Sequence, residues 1–76
     1  MINVRFLDNS GEGRSRWIEV ADGTRLEAFL VDQLDKDVED IEDGFTVKLN
    51  RESAPLSAVL NEGDLITAAP RKIEGQ

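Results

Sequence analysis

Alternation of apolar and polar side chains near the start of the chain predicts a β-hairpin. Residues 2–7 and 15–20 each have the two-residue period of a strand with one buried face. The intervening residues 8–13 are of types that favour turns. The positions predicted to face inward are Ile2, Val4, Phe6, Ile18 and Val20.

A change to helical spacing predicts a helix after this hairpin. Thr24 followed by Glu27 matches a capping box, in which each side chain accepts a hydrogen bond from the other's free backbone N–H. We therefore expect the helix to begin at Thr24 and to end near Leu34 or Asp35. The residues that would cover the hairpin are Leu26, Phe29, Leu30 and Leu34.

The next stretch, residues 35–43, is strongly acidic and offers only Val38 and Ile41 for burial. We predict a solvated acidic loop here. Alternation returns in residues 45–50 and predicts a third strand. Its inward residues would be Phe45, Val47 and Leu49.

The last part of the chain predicts two further strands. Residues 51–56 are expected to form a turn and a very short edge strand, because Pro55 cannot donate to a ladder. Residues 57–60 could form one helical turn. In the final strand, which follows Gly63-Asp64, Ile66 and Ala68 would face inward.

This order of elements predicts the α+β class. The first and last strands both need burial against one helix, which favours a mixed sheet of four to five strands wrapped around that helix, with the last strand parallel to the first. That is the β-grasp, or ubiquitin-like, arrangement. We expect residues 1–70 to form a single domain and residues 71–76 to form a flexible C-terminal tail.

Composition excludes several kinds of chemistry. The 76 residues contain no Cys and no His, so disulfides, thiolate zinc sites, cysteine nucleophiles and histidine acid–base catalysis are all absent. The net charge of −7 disfavours nucleic-acid binding and favours a basic surface on a protein partner. We expect a cytoplasmic monomer without membrane contact, since there is neither a long apolar run nor a signal-peptide pattern.

Two motifs could be interpreted as ligand-binding sites, but each has a simpler structural interpretation. Gly11-Glu12-Gly13 resembles part of a phosphate-binding loop, but no helix follows it and no Lys-Ser/Thr pair completes it, so a hairpin turn is favoured. In the acidic stretch, Asp40 stands where a calcium loop beginning at Asp35 needs glycine. We predict no metal site, no cofactor and no catalytic residue.

Trp17 is the more informative candidate, because strand alternation places it on the face opposite the helix. A lone aromatic residue among aliphatic and charged neighbours is typical of a protein-binding patch. The alternative is that Trp17 merely covers the aliphatic stems of Arg5 and Lys48. The residues predicted for this face are Trp17, Leu65, Thr67, Lys48 and Arg5, with Thr46 beside them.

Three segments resemble the small β-grasp sulfur-carrier proteins of thiamine and molybdopterin synthesis. They are Asp22-Gly23-Thr24, Val47-Lys48-Leu49-Asn50-Arg51-Glu52 and Leu60-Asn61-Glu62-Gly63-Asp64. The resemblance spans nearly the whole chain and implies ubiquitin's fold, together with activation of the C-terminus by an adenylating enzyme. Arg51 stands where the family usually has Gly.

The end of the chain departs from that family. The carriers finish in Gly-Gly, whose terminal carboxylate is adenylated and then loaded with sulfur, whereas this chain finishes in Glu74-Gly75-Gln76. We therefore favour a non-catalytic interaction module that uses the Trp17 face and its tail. The alternative is a sulfur or conjugation carrier trimmed to Gly75. The tail residues are Arg71, Lys72, Ile73, Glu74, Gly75 and Gln76.

Overall fold

The computed structural model describes residues 1–8 and 15–71. These residues form an α+β structure with one five-stranded mixed sheet and two helices. In chain order the elements are β1 (Ile2–Asp8), β2 (Ser15–Val20), α1 (Leu26–Leu34), α2 (Val38–Gly44), β3 (Phe45–Leu49), β4 (Glu52–Ser53) and β5 (Leu65–Pro70).

The sheet has the strand order β2-β1-β5-β3-β4. β1 and β2 form the predicted antiparallel hairpin, in which Arg5 is paired with Trp17. β5 lies in the centre, parallel to β1 and antiparallel to β3. The predictions that the last strand runs parallel to the first, and that a very short strand forms an edge, are confirmed.

The core lies between the inner face of the sheet and the two helices. Phe6 of β1 meets Phe29 of α1 edge-on, with ring centroids 5.3 Å apart. Half-buried side chains of β2 and β3 extend the core at the sides, as alternation predicted. The buried apolar residues are Val4, Phe6, Leu26, Phe29, Leu30, Ile41, Leu60, Ile66 and Ala68.

The predicted capping box at the start of α1 is wrong. The helix begins at Leu26, two residues after Thr24, and the Thr24 hydroxyl donates to the carbonyl of Ala21 instead. The first amides of α1 donate to the 56–58 loop: Leu26 N–H to Ala58 O and Glu27 N–H to Leu56 O, both at 2.8 Å. Backbone carbonyls from a distant segment thus satisfy donors that a side chain was expected to satisfy.

The acidic stretch forms a helix rather than the predicted loop. α2 places Ile41 in the core with no exposed surface, while its carboxylates face solvent. Glu39 and Asp40 lie in its first turn, where negative charge is favourable beside the exposed N–H groups. Burial of Ile41 therefore organises a segment whose composition alone suggested a loop.

The expected helical turn at residues 57–60 is also wrong. Val59 forms an isolated antiparallel bridge with Arg25, and Leu60 N–H donates to the carbonyl of Thr24 at 2.9 Å. This segment is extended because its backbone groups pair with the residues that precede α1. The pairing buries Leu60 and leaves Val59 exposed.

The turn between β3 and β4 has two residues with positive φ, Asn50 at 54° and Arg51 at 71°. Two such residues between paired strands form a type I′ turn, for which Asn-Gly is the preferred sequence. Arg51 therefore occupies a backbone conformation that glycine adopts more easily.

Several predictions concern residues outside this description. The hairpin turn, including Gly11-Glu12-Gly13, and the tail from Lys72 to Gln76 lie outside the described residues, so their predicted structures stay predictions. No helix within residues 1–8 and 15–71 is long and apolar enough to span a bilayer.

Candidate functional site

The five residues predicted for the Trp17 face lie together on the outer face of the sheet. Register places Trp17, Arg5 and Leu65 side by side on β2, β1 and β5. Thr67 and Lys48 are paired in the next row, on β5 and β3. We call these five residues the outer patch: Trp17, Arg5, Leu65, Thr67 and Lys48.

Trp17 is the most exposed aromatic side chain among the described residues, with 61% of its surface accessible. It lies on β2, an edge strand of the sheet. The guanidinium carbon of Arg5 is 5.7 Å from the centre of its ring, within the range of a cation–π contact. Arg5 Nη2 also donates to Ser15 Oγ at 2.9 Å, which orients the guanidinium beside the ring.

The guanidinium of Arg5 therefore covers part of Trp17. That contact leaves most of the ring accessible to a partner. The described residues include two other large apolar side chains with comparable exposure, Met1 and Val59, and both lie outside the outer patch.

Leu7 belongs to the same face and was not among the predicted residues. Register pairs it with Ser15 on one side and Thr67 on the other, and its side chain is half-buried. The alternation of β1 already assigned it to the outer side, opposite Phe6. The pattern could not identify the neighbours of Leu7, because they depend on the strand order.

A hydrogen-bonded clamp fixes the start of β5 and hence the position of Leu65. Asn50 Oδ1 accepts from Leu65 N–H at 2.9 Å, and Asn50 N–H donates to the carbonyl of Leu65 at 2.7 Å. Asn50 Nδ2 donates to Asp64 Oδ1 at 3.0 Å, and Asp64 Oδ2 accepts from Asn61 N–H at 2.7 Å. Asp64 is only 9% exposed, so its carboxylate serves the fold.

Charge is distributed unevenly between the two sides of the molecule. Residues 26–44, which contain both helices, hold eight Asp and Glu and one Lys, so their net charge of −7 equals that of the whole chain. The rest of the chain is neutral in sum. Among the strand residues that the structure describes on the outer face, Arg5 and Lys48 are cations, and Glu19 is acidic and lies one row away beside Asn3.

Few of these charged side chains form ion pairs with one another. Across the side chains of residues 1–7 and 15–71, the one salt bridge joins the Met1 amino group to Asp22 Oδ1 at 3.0 Å. The hydrogen bond and the negative charge of Asp22 raise the pKa of that amino group. Arg5 and Lys48 have no carboxylate of residues 1–7 or 15–71 within salt-bridge distance.

A groove of about 210 Å³ lies on the opposite side of the sheet, where α2 and the 54–56 loop incompletely cover β3. Most of its lining residues are of apolar type, and Glu42 and Arg71 bring opposite charges to its lining. The sequence pattern could not reveal it, because it depends on how α2, β3, the 54–56 loop and Arg71 pack against one another. The apolar lining residues are Ile41, Phe45, Val47, Ala54, Pro55 and Leu56.

The predicted tail is described only at its first residue. Arg71 N–H donates to the carbonyl of Gly44 at 2.8 Å, which holds the chain against the end of α2 as it leaves β5. Lys72, Ile73, Glu74, Gly75 and Gln76 lie outside the described residues.

Within the part of the chain that the structure describes, no three acidic side chains converge into a group suited to a metal ion. No protein-family model and no curated protein matches the chain.

Proposed function

We propose that the protein is a non-catalytic interaction module of the ubiquitin-like, β-grasp type, which docks the outer patch onto a protein partner. The mixed sheet with parallel β1 and β5 at its centre, packed on α1, supports this finer fold assignment. The observation that carries the function is the exposure of Trp17 on a face that also presents Leu65 and two cations.

Tryptophan and arginine are well suited to this role. Large rigid aromatic side chains and arginine dominate binding energy at protein interfaces, where they fill pockets and are fully desolvated. Trp17 and Arg5 are already held together in the free protein, so little side-chain freedom remains to be lost on binding. The absence of Cys and His supports a role without catalysis.

Comparative capture of partners from the native host tests this proposal. Trp17→Ala should abolish capture of the partner that the unmodified chain retains, because truncation of a central interface aromatic typically costs about 2 kcal/mol or more. Val59→Ala is the matched control, since Val59 is 47% exposed but lies off the outer face. Equal loss in both variants, or loss in neither, would contradict the proposal.

The second candidate is a sulfur or conjugation carrier activated by an adenylating enzyme. Two features support it: the resemblance described above, and the exit of the chain from the central strand β5, which leads directly into the tail. Gln76 would have to be removed to leave Gly75 terminal. Intact mass of the protein from its native host tests this: a mass lacking Gln76, a sulfur-for-oxygen change or an adduct would favour the carrier, and an unmodified full-length mass would favour the module.

A further inference from the structure

The charge of the outer patch differs from the charge of the protein as a whole. Net charge alone favours a basic partner, but all of the excess negative charge comes from the helical residues 26–44. The outer patch itself carries Arg5 and Lys48, together with the apolar surfaces of Trp17 and Leu65. A partner that docks there meets these two cations first.

Distance and screening decide which charge dominates at this face. The helices lie behind the sheet, and a single α-helix is about 10 Å across. The Debye length at physiological ionic strength is about 8 Å, so carboxylates on the solvent side of the helices are largely screened at the outer face. Arg5 and Lys48 lie within contact distance of a bound partner and are not screened in this way.

We infer that the outer patch binds a protein segment that presents Asp or Glu carboxylates beside aliphatic side chains. The aliphatic groups would cover Trp17 and Leu65, and the carboxylates would pair with Lys48 and with the free donors of Arg5. Arg5 uses Nη2 toward Ser15, and a guanidinium has five N–H donors in total, so others are available to a partner carboxylate. This inference rests on the proposed docking role of the outer patch.

Two short synthetic peptides without tryptophan provide the probes. In one, Leu alternates with Glu; in the other, Lys replaces every Glu. Because Trp17 is the only tryptophan, its fluorescence reports binding at the outer patch, and backbone amide NMR shifts locate the contact on the full-length chain. At physiological ionic strength we expect the Leu–Glu peptide to bind at Trp17 more tightly than the Leu–Lys peptide, against the overall charge of −7.

A matched pair of charge reversals sharpens this test. Lys48→Glu and Lys36→Glu change the net charge equally, but Lys36 is an exposed residue between the two helices. Lys48→Glu should weaken binding of the Leu–Glu peptide about fivefold, because one exposed ion pair is lost and a contact between like charges is gained. Lys36→Glu should weaken binding of that peptide less than about twofold, because Lys36 lies in the connection between α1 and α2 and not on the outer face, and solvent ions screen charges that are far from the contact.

The outcomes separate this inference from the proposed function. Equal or tighter binding of the Leu–Lys peptide at Trp17 would overturn the acidic partner but leave the outer patch as a docking surface. Equal weakening of Leu–Glu peptide binding by the Lys48 and Lys36 variants would also overturn the acidic partner, since binding would then depend only on the long-range effect of total charge. Amide shifts confined to α1 and α2 with both peptides, with unchanged Trp17 fluorescence, would contradict the inference and the docking role together.

Discussion

The inner face of the sheet is covered by α1 and α2, whereas the outer face leaves Trp17 with 61% of its surface accessible. The covering side also carries the whole net charge of −7, and the outer face carries Arg5 and Lys48. One side thus buries the apolar core and carries the net charge, while the other combines residue types that are common at protein interfaces. The net charge of the whole chain therefore describes the helical residues 26–44 and not the outer face.

The largest expected difference in stability is between the loss of an apolar side chain from the inner side of the sheet and the loss of one from the outer face. Leu30 of α1 has no exposed surface, so Leu30→Ala should lower the free energy of unfolding by about 2–5 kcal/mol through lost burial and a cavity. Trp17→Ala should cost less than about 1 kcal/mol, mainly the contact with Arg5. Urea denaturation of both variants measures this, and equal losses would mean that Trp17 belongs to the core.

A smaller effect is expected at Arg51, whose positive φ strains the turn of the sheet. Arg51→Gly relieves a left-handed conformation that costs about 1–2 kcal/mol, offset by about 0.5–1 kcal/mol of extra chain entropy in the unfolded state. The unfolding free energy should therefore rise by about 0.5–1 kcal/mol although a cation is removed. A decrease in thermal denaturation experiments would show instead that the Arg51 side chain makes a stabilising contact.

The smallest expected effect on stability depends on where a charge lies along α2. Asp43 lies near the end of α2 and Glu39 lies in its first turn, so the helix dipole disfavours the former and favours the latter. Asp43→Lys should stabilise the protein by about 0.5 kcal/mol more than Glu39→Lys, although both change the net charge equally. Thermal denaturation at low salt measures the difference. Equal effects would show that total charge, and not position, governs this side.

The sequence pattern predicts the strands better than it predicts what joins them. Strand alternation depends on local burial, so residues 15–20 and the inward positions of β1 and β3 were predicted correctly. The start of α1 was not, because carbonyls of Leu56 and Ala58 replace a local cap. Helix α2 was not predicted because its stability depends on complete burial of Ile41, and the sequence offers Ile41 for burial without showing that it reaches the core.

Strand alternation also predicted which residues belong to the outer patch, but it could not show which of them are neighbours. Alternation assigned Trp17, Arg5 and Leu65 to one face, but their adjacency requires β1 to lie between β2 and β5, which the β-grasp hypothesis provided. The neighbours of Leu7, and the groove beside Ile41, could be identified only from the structure. The concentration of negative charge in residues 26–44 could have been counted from the sequence, but its separation from the outer face depends on the layering of the fold.

The most direct test of the docking role is amide NMR mapping of the full-length chain bound to the partner that it captures from its native host. We predict that the largest shifts will occur at the Trp17 indole and at the amides of Arg5, Leu65 and Lys48, with the helical side unchanged. Shifts confined to residues of α1 and α2, with the Trp17 indole unaffected, would contradict the account.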